Sequence, residues 1–274
     1  PSAYVEKGSP VACWNRNGEV LLERAAQPRR IRETCALIGG NPNHFHWTWE
    51  AAARLMLLED EPDCAGLPII VGSELASYER DTLDRLGYPA EKRIGVPRET
   101  VCECRDLWIP SLVTQRTIPH PRAVSWLRER LARPGSQPTR RLFVSRADAS
   151  WRRIMNEEEV EAVLLRYGFE KVVLGGMTLD QQIDLFAQAQ VVVGGHGAGL
   201  ANVLFAPASA RLLELSSHSY PAEFFSALAR TIGQTARRLN GPIVGAQSRM
   251  PHLWDFTIET RELEDSLKDL LGAA

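Results

Sequence analysis

Val191-Val192-Val193-Gly194-Gly195-His196-Gly197-Ala198-Gly199-Leu200-Ala201-Asn202 is the stretch whose reading decides the fold. Its β-branched run reads as a strand of a parallel sheet, apolar because both faces are covered. The run breaks on a glycine-dense turn, and Leu200, Ala201, Val203, Leu204 and Phe205 then suit the start of a helix. Strand, glycine turn and helix N-terminus together turn free backbone N–H groups and the positive end of a helix dipole toward an anion. A side chain in such a turn would hold a phosphate off the backbone, which is why glycine belongs there. His196, in the middle, can add a hydrogen bond. The order GGHGAG lacks the G-x-G-x-x-G spacing of a dinucleotide site and has no Walker lysine. The expectation is a diphosphate site of another type, built by Gly195, His196, Gly197, Ala198 and Gly199 with Asn202 one turn on. The alternative is that the glycines serve only helix–strand packing.

Working outward, the second half of the chain alternates strand and helix. A helix over Arg122–Leu131 precedes a strand Leu142–Ser145, and Asn156 with Glu159 three residues later forms a capping-box pattern. Strand Lys171–Leu174, helix Leu179–Ala187, strand Val191–Val193, strand Leu212–Leu215, helix Phe224–Ile232 and strand Thr235–Leu239 follow, then an extended piece Phe256–Ile258 and a helix Leu263–Leu271. Repeated βα units of this length predict a doubly wound parallel sheet with ligands at the carboxyl ends of its strands. The first half reads as α/β with additions: a hairpin over residues 11–24 turning at Asn15-Arg16-Asn17-Gly18, strand Cys35–Ile38, a helix over 44–58, strand Pro68–Val71, a helix over 75–86, and extended segments at 92–96 and 101–109. Residues 111–121, with Pro119 and Pro121 just after Pro110, read as a linker.

Composition narrows the function classes. With 274 residues the chain can form one large or two modest domains, and 44% hydrophobic with 24% charged residues is the balance of an ordinary globular protein. A formal charge of -2 gives no reason to expect nucleic acid or an anionic membrane as the main partner. Its bases are nearly all arginine, a bias that a G- and C-rich genome also produces. The five cysteines, an odd number, include Cys102-x-Cys104, whose spacing suits zinc poorly, so reduced thiols and a cytoplasmic setting are expected, with association at a membrane surface left open. No apolar stretch approaches a membrane span, and no secretory leader is visible.

Three groups of residues can carry chemistry. Besides the glycine turn, Arg146 follows a strand end and Arg152-Arg153 lie shortly beyond it; guanidinium groups there can neutralise a diphosphate leaving group. Pairing with Glu157, Glu158 and Glu159 is the alternative, and between Arg152 and Arg153 the sequence does not choose. In Asn43-His44-Phe45-His46-Trp47-Thr48-Trp49-Glu50, His46 and Glu50 share a helix face, where a carboxylate orients an imidazole as a general base requires; a purely structural pair is the alternative. Trp47 and Trp49 either stack on a sugar or fill core. Glu214, at a strand end, can accept from ribose hydroxyls or pair with Arg211 or Arg230. Asp180 and Asp184 read as surface charges, His218 and His252 receive no role, and no Asp-x-Asp motif points to a metal.

Taken together, Asn43-His44-Phe45-His46-Trp47, Phe143-Val144-Ser145-Arg146 with Arg152-Arg153 and Asn156-Glu157, and Val193–Asn202, extended by Phe205-Ala206-Pro207 and Leu213-Glu214-Leu215, resemble glycosyltransferase family 61 over roughly residues 40–216. The resemblance implies a GT-B-type α/β architecture, two Rossmann-like lobes with parallel sheets facing across a cleft: an acceptor-side lobe over 1–115, a nucleotide-sugar-binding lobe over 116–255, and a C-terminal piece and helix over 256–274. It implies transfer of a sugar from a nucleotide-diphosphate sugar, with UDP the expected nucleotide, to a carbohydrate or other acceptor hydroxyl, with inversion. Neither a metal nor a resident cofactor is expected, and the setting is bacterial polysaccharide biosynthesis. Carried over residue by residue, Arg146, Arg152 or Arg153, the His196–Gly199 turn, Asn202 and Glu214 hold the donor, while His46, with Glu50 as second choice, is the base. Two other readings compete: a methyl or phosphoryl transferase using the turn for its cofactor, and a non-catalytic binding protein of the same fold.

Overall fold

The structure, a computed structural model, describes residues 13–14, 20–21, 28–41, 43–97, 100–115, 118–133, 137–220, 222–245, 250 and 253–272. Strand β1 (Cys13–Trp14) pairs antiparallel with β2 (Val20–Leu21), as the hairpin reading expects; its Asn-Gly turn, like His252, lies outside the described residues. Compact packing divides the chain into two units, Pro1–Gly40 with Arg54–Ser111 and Asn41–Ala53 with Leu112–Ala274.

The first unit is α/β. Strands β3 (Arg29–Ile31), β4 (Cys35–Leu37), β5 (Ile69–Gly72), β6 (Arg93–Val96), β7 (Cys102–Cys104) and β8 (Leu107–Trp108) form two parallel sheets, one of order β6-β5-β4-β8 and one of β3 with β7. Ile31, Cys35, Ile70, Ile94 and Val96 pack between them, with Cys102 and Cys104 half-buried against that cluster.

The helix expected over 44–58 is a composite run: α1 (His44–His46), a π-helical turn Trp47–Ala51, a 3-10 turn Ala52–Arg54 and α2 (Leu55–Asp60). Asn43 caps it, its side chain accepting from Phe45 N at 3.0 Å. The run splits between the units, and its first half, with His46 and Glu50, belongs to the second unit rather than to the N-terminal lobe. The reason is Phe45, whose buried ring lies 5.5 Å from that of Phe224 and 5.6 Å from that of Phe225.

Beyond α3 (Ser77–Arg85), the stretch read as a linker carries a short antiparallel pair, β9 (Thr114–Gln115) and β10 (Ile118–Pro119). Then come α4 (Pro121–Leu131), β11 (Arg140–Val144), α5 (Glu157–Arg166), β12 (Glu170–Val172), α6 (Leu179–Ala187) and β13 (Ala189–Gly195). A 3-10 helix Ala198–Phe205, β14 (Arg211–Ser217), α7 (Phe224–Ile232), β15 (Thr235–Gly241) and α8 (Thr260–Gly272) complete the unit. All five strands from β11 onward are parallel, in the order β12-β11-β13-β14-β15. The first connection runs one way along the sheet and the next returns past it, so the direction of winding reverses between β11 and β13. A doubly wound sheet binds its ligand in the crevice at that reversal, outside the carboxyl ends of the strands.

Two local expectations are corrected. Asn156 does not cap α5: its Nδ2 donates to Ile258 O at 2.9 Å and its Oδ1 accepts from Ile258 N at 3.0 Å, so the amide completes a ladder with the C-terminal segment. A capping box stands instead at Thr178 and Gln181, at the start of α6. Nor is 256–274 a separate piece, since Phe256, Ile258, Leu263, Leu267 and Leu270 share one core with Phe143, Val193 and Leu213. Both outcomes depend on contacts far apart in the chain, which helix-end patterns do not report.

Candidate active site

At the reversal, Val144 ends β11 beside Gly194 of β13, so the segments that leave the two strands emerge side by side. From the first, Arg146 folds back over the glycine turn. Its Nη2 donates to Trp151 O at 2.8 Å and its Nε to Arg152 O at 3.2 Å. A Cβ added at Gly197 would stand 1.5 Å from Arg146 Nη1, and one at Gly195 would stand 2.9 Å from Arg146 Cδ. These glycines therefore make room for a guanidinium laid on the backbone, where the sequence reading put a phosphate. Gly199 follows the packing alternative, its missing Cβ facing Leu174 at 3.0 Å. Ala198 opens the helix that follows, which is 3-10 rather than α.

Arg152 and Arg153 part company. Arg152 has φ +56°, a left-handed conformation costly for a side chain with a Cβ. Its guanidinium lies 5.5 Å from the ring centre of Tyr220, and its Nε is buried without a hydrogen-bond partner. Burial lowers the Arg152 pKa, with Tyr220 opposing. Burial also pulls Arg146 down to about 10, and the charge of Arg152 adds to the effect. Arg153 turns to Asp255, a buried carboxylate that accepts from its Nη2 at 2.9 Å, its Nε at 3.1 Å and its backbone N at 2.8 Å. Arg153→Ala is thus expected to remove the two guanidinium hydrogen bonds from a buried carboxylate, costing about 1.5–3 kcal/mol of stability while nucleotide affinity stays within about twofold; chemical denaturation and calorimetric titration of the one variant check both halves. Pairing of the arginines with the acidic run is not what Glu157 and Glu159 do: Glu157 accepts from Ser145 Oγ at 2.7 Å and pairs with Lys171, and Glu159 accepts from Asn156.

His196 and Glu214 form a buried pair. His196 N donates to Leu215 O at 2.7 Å, which fixes the turn, and His196 Nδ1 meets Glu214 Oε1. Glu214 Oε2 accepts from Ser226 Oγ at 2.7 Å. Glu214 is wholly buried with both oxygens engaged, so neither reading of it holds: it faces no ribose, and Arg211 and Arg230 bond elsewhere, to the Leu270 carbonyl and to Glu223. Burial pushes the imidazolium form of His196 down, with the charges of Arg152 and Arg238 adding to it against the pull of Glu214. Burial alone would raise the Glu214 carboxyl, but the hydrogen bonds from His196 and Ser226 hold it below its ordinary value. Neutral His196 then donates from Nδ1 and keeps a lone pair on Nε2. Its ring centre lies 4.0 Å from Tyr220, 4.9 Å from Phe225 and 5.9 Å from Phe224.

Asn202, expected to face the ligand, is fully buried: its Nδ2 donates to Gln182 Oε1 at 2.8 Å and Gly199 O at 3.0 Å, bracing the turn against α6. Taking the Gly199 carbonyl by a side chain three residues on also suits the tight 3-10 winding there. Arg238 and Tyr220 escaped the sequence reading. Arg238 Nη2 donates to Ser216 Oγ at 2.8 Å and Tyr220 O at 2.5 Å, and Arg238 lies opposite Glu214 in the β14–β15 register, a signal visible only once the strands are aligned.

His46 Nδ1 stands 2.9 Å from Glu50 Oε1 without hydrogen-bond alignment, and both side chains are about one-third exposed. Trp47 and Trp49 are buried and fill core rather than offering a face to a sugar. Since Phe45 packs on Phe224 and Phe225, the rings that border His196, this motif and the glycine turn meet around one aromatic cluster. Among the described residues, no three or more His, Cys, Asp or Glu side chains are grouped to hold a metal, and no helix is long and apolar enough to cross a membrane.

The profile of the family described as Glycosyltransferase 61 matches residues 44–213. An Oryza sativa subsp. japonica protein, the beta-1,2-xylosyltransferase XAX1, is 37% identical over 83 residues, which are 30% of this chain and 14% of the rice protein. The chain thus matches only a small part of that relative's length. Among solved structures, E. coli heptosyltransferase WaaC with ADP-2-deoxy-2-fluoro heptose aligns at TM-score 0.41 and 10% identity, covering 87% of this chain and 99% of that one. The same enzyme with ADP aligns at TM-score 0.44 and 11% identity, covering 88% and 98%.

Proposed function

This chain belongs to the glycosyltransferase 61 family, and we propose that it is a glycosyltransferase that moves a sugar from a nucleoside diphosphate sugar, expected to be UDP-linked, to an acceptor hydroxyl with inversion at the anomeric carbon. One observation carries the donor side: Arg146 and Arg152, two half-buried arginines whose like charges oppose each other, lie together at the reversal of the sheet, and the carboxylates that offset Arg146, Asp148 and Asp255, are shared with Gly175 N and Arg153. Burying like charges together is costly unless an anion joins them, and a diphosphate is the anion that fits a doubly wound sheet at this place. As the bond from the anomeric carbon to the diphosphate oxygen breaks, its electron pair goes to the diphosphate, and these cations stabilise the growing charge with no metal required of them. His46 is the proposed base. It takes the proton of the acceptor hydroxyl as that oxygen bonds to the anomeric carbon from the opposite side, and Glu50, whose Oε1 lies 2.9 Å from His46 Nδ1, stands beside the ring to favour the imidazolium as it forms. The proposed acceptor is a carbohydrate or another hydroxyl compound, and surface polysaccharide assembly in a bacterium is the proposed setting.

A panel of UDP, UDP-sugars, ATP and S-adenosylmethionine tests the donor class by thermal shift. UDP or a UDP-sugar is expected to raise the melting temperature. A flat response to every nucleoside diphosphate, or a shift with ATP or S-adenosylmethionine alone, overturns the proposal. His46→Gln is expected to lower kcat by about 100- to 10,000-fold, the usual worth of a general base, with donor affinity unchanged; a kcat within tenfold of the parent would assign the base elsewhere.

A further inference from the structure

The second histidine of the site has its own chemistry. His196 Nδ1 is committed to Glu214, whose other oxygen is held by Ser226, so protonation of the ring is possible only at Nε2. The groups that face it are Glu214 from β14, Arg238 from β15, Tyr220 from the loop after β14 and Arg152 from the segment after β11; α7 contributes Phe224, Phe225 and Ser226, none of them charged. Two cations and one carboxylate surround an imidazole whose flanking glycines carry the guanidinium of Arg146. A diphosphate arriving on Arg146 and Arg152 offsets that positive surplus, while Glu214 stays behind the ring as counter-charge. We propose that His196, positioned by Glu214, takes up a proton from solvent as the donor diphosphate settles on Arg146 and Arg152, and offers that N–H to the diphosphate as it departs. This rests on the donor reading above and adds a third, proton-borne charge to the two fixed ones. Glu214 acts through His196 and is a positioning residue.

The sign is open to test. A group protonated more readily in the bound state binds protons with the ligand, so affinity must rise as pH falls toward the free-state pKa, which here lies below the ordinary histidine value. The probes are UDP-xylose, UDP-N-acetylglucosamine and UDP-glucose, whose diesterified diphosphates do not themselves titrate near neutrality. Calorimetric titration in buffers of different ionisation enthalpy counts protons directly. For the tightest-binding probe we expect uptake of roughly half a proton near pH 6.5, and affinity rising by up to about tenfold for each pH unit lowered. His196→Gln and Glu214→Gln abolish the uptake, whereas His46→Gln retains it. Should the buried-pair variants fail to fold, the wild-type count and His46→Gln still decide. Binding with no uptake or with proton release, or uptake lost in His46→Gln, overturns this role of His196 and leaves the donor reading intact. Failure of all three probes to bind overturns the donor reading, and this inference with it.

Discussion

Gly197→Ala is expected to abolish donor binding as fully as Arg146→Ala, although it removes no charge and no hydrogen bond. The new methyl would fall 1.5 Å from Arg146 Nη1, so the guanidinium must leave the turn and give up its bonds to the Trp151 and Arg152 carbonyls. The backbone tolerates the change, since Gly197 has φ 177°, an extended conformation open to alanine. Charge-assisted hydrogen bonds are worth about 1.5–3 kcal/mol each, so losing a two-pronged contact should raise the Kd for a UDP-sugar at least about 100-fold, with kcat/KM falling further because the anion's charge grows in the transition state. The double variant should be no worse than either single one, as two changes to a single contact do not add. Titration of the three proteins decides: near wild-type affinity for Gly197→Ala would mean that Arg146 does not act from its seat on the turn.

Most of what precedes the side-chain detail was legible in the sequence. The β-branched run at Val191–Val193 and the glycines behind it gave β13 and its turn, and Ser145-Arg146 stood at the end of β11 as expected. Side-chain periodicity reports which face is buried, so helices such as Leu179–Ala187 and Phe224–Ile232 could be placed to the residue. Pairing is a different kind of information. Which of Arg152 and Arg153 turns inward was settled by a left-handed residue and by Asp255, about a hundred positions away. Glu214 found His196 because Gly194 and Glu214 are register partners, and Ser226 completed the pair from the next helix. His46 joined the second unit through the fit of Phe45 against Phe224 and Phe225. Each of these depends on how far two separated segments are offset when they pack, and residue types and local spacing do not carry that offset.

Arg152→Gly is expected to separate stability from function by moving them in opposite directions. The left-handed φ of Arg152 costs about 1 kcal/mol that glycine does not incur. A buried, unpartnered Nε adds a desolvation cost of about 1–3 kcal/mol. Against these stand the cation–π contact with Tyr220, worth about 0.5–2 kcal/mol, the side-chain hydrogen bond between the same two residues, worth about 0.5–1.5 kcal/mol, and the extra freedom glycine gives the unfolded chain. Relief of strain and of repulsion toward Arg146 outweighs them, so the variant should be more stable than the parent by about 1 kcal/mol, a rise of about 2–4 °C in Tm. Its Kd for a UDP-sugar should meanwhile rise about 100-fold. At ligand concentrations far above the parent's Kd the order of melting temperatures should reverse, because only the parent gains the linkage term. Arg152→Ala dissects the effect: it removes the same charge but keeps the strained φ, so it should lose affinity equally while gaining less stability. A glycine variant that melts lower than the parent without ligand yet still binds donor would make Arg152 a structural arginine, leaving the turn with one anion-binding cation instead of two.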